Sequence, residues 1–151
     1  MFKTIRRFCS LLTIVSVMLL FGCSSYSEPP KAIVKINNEK VKAVKGTYQW
    51  QTKGLFSSRV VVADAASPFQ ISEEMDAKQI RQKSVAIIQF NNGSEPELEA
   101  YTWNEEGRET ELSIDENELS LPSHKGRHVI EIRGVWPNGD ASYTLVIELK
   151  E

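Results

Sequence analysis

The chain reads as all-β, an antiparallel Ig-like β-sandwich over residues 31–151, and three observations lead there. Short runs rich in Val, Ile, Thr, Tyr and Trp recur along the chain, separated by Asn, Gly and Pro turn signals. The last segment alternates strictly: Tyr143, Leu145, Ile147 and Leu149 interleave with Ser142, Thr144, Val146 and Glu148, the period of two that sends alternate side chains to opposite faces of a strand. Only Ser72–Lys83 looks helical, and its apolar residues are sparse, Met75, Ala77 and Ile80.

In order along the chain, Ala32–Ile36 and Val41–Val44 flank a turn at Asn37-Asn38, and Thr47–Gln51 follows Gly46. Arg59–Ala63 is β-branched and almost continuously apolar, as expected of a strand buried on both faces. In 72–83, Ser72 is the expected helix cap, with Glu73 and Glu74 in the first turn; the stretch reads as a surface connection with at most a turn of helix. Val85–Phe90 is a strong apolar strand. Glu97–Trp103 and Glu109–Ile114 flank Asn104-Glu105-Glu106-Gly107, with glycine where positive φ is wanted. Glu118–Leu121 is a short strand ended by Pro122. Arg127–Trp136 and Ala141–Leu149 form the closing hairpin around Pro137-Asn138-Gly139-Asp140, with Trp136 and Tyr143 flanking the turn as expected core anchors. Eight or nine short strands at this spacing suit a sandwich.

The first residues do not belong to that domain. Lys3, Arg6 and Arg7 precede an apolar run, Phe8–Phe21, too short for a comfortable membrane span of about 20 residues and laid out as a secretory leader. Leu20-Phe21-Gly22-Cys23 resembles the lipobox of bacterial lipoproteins, with an aliphatic residue, a small residue before the cut and the obligatory cysteine; Phe21 is bulkier than usual at its position. The resemblance implies a signal peptide over 1–22, cleavage before Cys23 and a diacylglycerol thioether on that thiol, with palmitate-type acyl chains. Two chains anchor stably at about 0.8 kcal/mol per buried methylene. The expected product is a lipoprotein held at the extracytoplasmic face of the cell membrane, with residues 23–30 as lipidated cysteine and tether, reaching roughly 25 Å from the lipid. Cys9 leaves with the leader and Cys23 becomes the anchor, so the mature domain has no thiol for a disulfide, a nucleophile or a metal site.

Removing the three basic residues of the leader shifts the net charge from −2 to −5, a poor match to nucleic acid. Charge is also segregated along the chain. Lys31–Arg59 carries seven basic residues and one acidic, and Glu95–Glu118 ten acidic and one basic, Arg108. The simplest expectation is that the two segments are neighbours in the sheets and neutralise one another. The alternative is a basic face that meets anionic lipid or wall polymer, worth at most about 1 kcal/mol per lysine.

Lys45-Gly46-Thr47-Tyr48-Gln49-Trp50, Ala63-Asp64-Ala65-Ala66-Ser67-Pro68 and the closing Gly126…Trp136-Pro137-Asn138-Gly139…Tyr143 hairpin resemble a group of small, uncharacterised lipoproteins of Bacillus-type bacteria. That resemblance implies the sandwich and supplies no catalytic residue. Relatives can carry cysteines near the first two motifs; Gln49 and Val62 stand there in this chain, so a disulfide of that kind is absent.

Several constellations could carry chemistry, and each has a simpler reading. His124 and His128 are four apart, a metal-binding spacing on a helix, yet they straddle Lys125-Gly126 at a strand entrance and need not face one another. No Gly-x-Ser-x-Gly elbow supports a serine nucleophile. Asp115-Glu116-Asn117-Glu118 lacks the spacing of a calcium loop and reads as a solvated turn. Glu97/Glu99 and Glu109/Glu111 lie two apart on strands; a glycosidase needs such carboxyls across a cleft, and the wet face of a hairpin is the plainer account. Tyr101 and Trp103 share parity with those glutamates, opposite Leu98 and Ala100, so unbroken alternation turns both rings outward as a contact surface. The plainer accounts are a β-bulge that re-aims them into the core or a cross-strand contact that occupies them. The expected function is a membrane-anchored, non-catalytic binding or sensor module with no metal or cofactor. Its partners would be the membrane and an envelope protein or cell-wall polymer. The alternative is an envelope enzyme, or an enzyme accessory subunit, with a site made of scattered residues.

Overall fold

A computed structural model describes residues 28–54 and 57–151; the expected leader, the lipobox and Cys23 lie outside them. The described residues form β1 (Ala32–Ile36), β2 (Glu39–Val41), β3 (Val44–Lys53), β4 (Ser58–Ala63), α1 (Pro68–Glu73), β5 (Lys78–Arg81), β6 (Val85–Phe90), β7 (Glu97–Asn104), β8 (Gly107–Glu111), β9 (Ile114–Asp115), β10 (Glu118–Ser120), β11 (Gly126–Trp136) and β12 (Gly139–Lys150). They assemble as two sheets packed face to face, one in the order β2-β1-β6-β10-β9, the other β4-β3-β12-β11-β7-β8 with β5 beside β12. Every pairing is antiparallel except β5–β12. The all-β sandwich is therefore the fold.

The core follows from the alternation. Val34, Ile36, Ala86, Ile88 and Phe90 of one sheet meet Trp50, Ala100, Ile130, Ile132, Tyr143, Leu145 and Ile147 of the other. Trp136 stands edge-on to Trp50 at 5.4 Å and to Phe90 at 4.9 Å between ring centroids, an edge-to-face geometry that aromatic quadrupoles favour. Its indole N–H donates to Ser94 Oγ at 2.8 Å. Two turns explain two motifs. Asn37 and Asn38 both take left-handed φ, 52° and 65°, as a two-residue hairpin loop requires. At Gly139, φ is 152° and a Cβ would stand 2.0 Å from the Gln49 carbonyl oxygen, so only glycine lets β12 close against β3.

Three expectations about individual elements are corrected. Arg59–Ala63 is not buried on both faces: β4 is an edge strand, and Val60 and Val62 are 52% and 61% exposed. Only the face carrying Val61, opposite Trp50, turns inward, with Val62 directly opposite Gln49 on the other face. The helix starts five residues earlier than expected, at a capping box in which Ser67 Oγ accepts the Gln70 N–H and Gln70 Oε1 accepts the Ser67 N–H; Ser72 instead donates to the Phe69 carbonyl. The segment then supplies β5, whose Lys-Gln-Ile-Arg sequence has a single apolar residue, Ile80, to signal it. Finally, Thr144 and Val146 do not face water. α1 packs across β11 and β12, leaving both residues at most 1% exposed, and Arg127 ties the cover down by donating to the Ser72 carbonyl at 2.7 Å.

The two charged segments are not neighbours. Basic β1–β4 occupy one side of both sheets and acidic β7–β10 the other, with β12 and β11 between β3 and β7 and β6 between β1 and β10. None of the pairs Lys45–Glu28, Lys78–Glu39, Arg108–Glu131, Arg133–Glu99 or Arg133–Asp140 joins them. Strand order among the described residues thus keeps the two segments apart, because each forms hairpins with itself. Pro29 and Pro30 at the end of the expected tether are buried: the Pro30 carbonyl accepts the Tyr143 hydroxyl at 2.6 Å and the Pro29 carbonyl accepts Lys45 Nζ at 2.8 Å.

Candidate binding face

The outer face of the larger sheet carries Tyr101 and Trp103 where parity put them. β7 pairs with β11 without interruption from Glu97↔Val135 to Trp103↔Val129, so Ala100 and Thr102 point inward, 0% and 6% exposed, and both rings point out. The pairing of β7 with β8 does shift register between Thr102 and Trp103. That irregularity lies on the β8 side and does not turn either ring inward. Both side chains are half-buried, because neighbours on the same face pack against them.

Those neighbours form a polar network that sequence reasoning did not find. Tyr101 stands opposite Glu131 on β11, and Trp103 opposite Arg108 on β8. Glu131 Oε2 accepts both the Trp103 indole N–H at 2.7 Å and Arg108 Nε at 2.9 Å. Glu131 as a whole is 5% exposed, and burying its carboxylate without partners would cost several kcal/mol; two charge-assisted hydrogen bonds at about 1.5–3 kcal/mol each offset this. Arg108 lies over the Tyr101 ring, 4.2 Å from its centroid, a contact worth roughly 0.5–1 kcal/mol at a partly exposed site. The hydrogen bond to Glu131, with the negative field of Glu131 and Glu99, raises the Arg108 pKa further above its ordinary value against the opposing effect of burial. Farther along the face, Arg133 bridges Glu99 at 3.2 Å and Asp140 at 3.6 Å. The result is an alternation of charge across β12, β11, β7 and β8 with two amphipathic rings set into it.

Such a face can stack one side of a ring against a flat ligand and hold that ligand's polar groups with charges already oriented by their neighbours. Arg108 was visible in the sequence as the single basic residue of an acidic run. Glu131 was not, since nothing local to Ile130-Glu131-Ile132 says which strand will lie alongside.

The remaining candidates fall elsewhere. His124 and His128 do approach, with ring centroids 6.4 Å apart, and His128 Nε2 donates to the His124 carbonyl at 2.9 Å. Among the described residues no three of His, Cys, Asp and Glu are grouped to hold a metal ion. Glu109 and Glu111 are exposed on the edge strand β8, and Glu116 sits at a turn with φ 53°. Among the described residues no helix is long and apolar enough to cross a membrane. Compared with family models, curated proteins and solved structures, the chain shows no match.

Proposed function

We propose that this chain is a lipoprotein, acylated on Cys23 and held at the extracytoplasmic face of a membrane, whose domain acts by contact as a non-catalytic binding or sensor module. The observation that carries the reading is the pair of outward rings, Tyr101 and Trp103, on a face whose only deeply buried charge, Glu131, is used to hold Trp103 and Arg108 in place. Rings already fixed lose little rotamer freedom on binding, and Tyr, Trp and Arg are the residue types that dominate contact energetics. Pro29 and Pro30 are docked on the domain, and the five residues between them and Cys23 could span at most roughly 20 Å if fully extended. The partner on this reading is an envelope protein or wall polymer next to the membrane.

Two measurements test it. Cys23→Ser in cells should give an uncut precursor without acyl mass; a protein still cleaved and membrane-bound after that change refutes the anchor. Crosslinking in intact cells, followed by mass spectrometry, should recover a partner through the parent chain and lose it with Tyr101→Ala or Trp103→Ala. Undiminished capture by both variants moves the contact off this face.

A further inference from the structure

Apart from the aromatic face, the edge of β6 carries a feature of its own. The smaller sheet is incomplete beside β6. β10 pairs with β6 only at Val85, Ala86 and Ile87; the Asn117 carbonyl then accepts the Ile88 N–H at 2.9 Å, and the chain turns away. On the other side β1 pairs with β6 to its end, Ala32↔Phe90. The last two residues of β6 therefore lie beside a notch where a strand would fit. Backbone groups two residues apart point the same way along a strand, so the Phe90 N–H faces the notch as the Ile88 N–H faces Asn117. The Phe90 carbonyl is already used by Gly93 N–H, 3.0 Å away.

The notch opens into a groove of about 720 Å³ between the ends of the two sheets, within the range of ligand sites. Ile88, Phe90 and Leu98 supply apolar lining, Glu95 and Glu116 are its charged residues, and neither Lys nor Arg lines it. Both glutamates are exposed. They belong to the segment 95–118, net −9, whose strands lie together on one side of the sandwich, and a field of one sign concentrates ligands of the other.

We propose that this groove binds a short extended peptide carrying basic side chains, added as a strand segment beside Gln89 and Phe90. Main-chain hydrogen bonding at the notch supplies the strand register, as in other cases of strand addition. Alternate side chains of the peptide then point down to Ile88, Phe90 and Leu98 or up to Glu95 and Glu116.

The test uses the full chain in neutral detergent micelles and a fluorescein-labelled hexapeptide of alternating valine and lysine, read by anisotropy. Saturable binding is expected. The counterpart with glutamate for lysine should not bind. The double variant Glu95→Gln, Glu116→Gln should bind the lysine peptide at least tenfold more weakly, with an unchanged circular dichroism spectrum since both side chains are exposed. A lysine peptide N-methylated at alternate residues should also lose at least tenfold. No saturable binding of the lysine peptide, or equal affinity for the double variant, overturns the site. Equal affinity of the N-methylated peptide overturns strand addition.

Discussion

Two aromatic clusters sit back to back on the larger sheet, and they differ in everything except residue type. On the inner face, Trp136, Trp50 and Tyr143 pack with Phe90 from the opposite sheet, each at most 8% exposed. Polar atoms of Trp136 and Tyr143 find one neutral partner apiece, Ser94 Oγ and the Pro30 carbonyl. On the outer face, Tyr101 and Trp103 keep part of each ring in water and are tied to charge, Glu131 and Arg108. The inner cluster is held by area removed from water and by edge-to-face contacts. The outer one is held by charged neighbours, at a smaller gain in stability, and leaves part of each ring exposed. Strand parity alone separates the two roles.

The comparison can be broken at each cluster. The largest effect is expected for Trp136→Ala, about 3–5 kcal/mol in urea unfolding, because Trp50 and Phe90 lose their shared neighbour and Ser94 its donor. A loss below about 1 kcal/mol would mean that the ring does not anchor the core. Trp103→Ala should cost less, about 2 kcal/mol, since the indole is half-buried and Glu131 keeps Arg108. A loss as large as that of Trp136→Ala would erase the distinction between the two faces.

Tyr143→Phe sharpens the inner cluster, with an expected cost of about 1 kcal/mol at neutral pH for an unpaired buried carbonyl. Burial pushes the Tyr143 pKa well above its ordinary value, so the folded state resists losing that proton while the unfolded chain releases it near pH 10. Stability from this group is thus intact below about pH 10 and lost as the pH rises beyond it. Alkaline unfolding curves should show that extra loss in the parent and not in the phenylalanine variant; parallel curves would contradict it. The smallest effect is expected at Lys78→Gln. The hydrogen bond and charge of Lys78 hold the Glu39 carboxyl below its usual range, so its NMR titration midpoint should rise toward the ordinary value. Whatever stability the pair contributes is present at neutral pH and fades on acidification through that lowered pKa, and solvent screening keeps it small. An unmoved midpoint would show that the pair does not form in solution.

Legibility in the sequence followed the range of the interaction that decides each feature. The Glu97–Glu111 and Gly126–Lys150 hairpins were readable because their signals, Asn104 with Gly107 and Asn138 with Gly139, act within a few residues of the alternation they connect. The core roles of Trp136 and Tyr143 and the outward turn of Tyr101 and Trp103 came from the same alternation. The burial of β4 was misjudged because an apolar run cannot tell a central strand from an edge strand whose outer valines remain in water. β5 was missed because its parallel pairing with β12 depends on residues far along the chain.

The sequence by itself determined the strand-rich architecture, the inner and outer sets of each long hairpin, and the uneven distribution of charge along the chain. Only the tertiary structure decided that basic and acidic strands lie on opposite sides of the sandwich, that α1 covers Thr144 and Val146, that Glu131 comes to hold Trp103 and Arg108, and that β10 stops short of Phe90 to leave a notch. Alternation and turn chemistry are local, set by the geometry of a few consecutive residues. Strand order and cross-strand neighbours come from long-range pairing, where whole faces compete for burial and the chain between them carries no record of the winner.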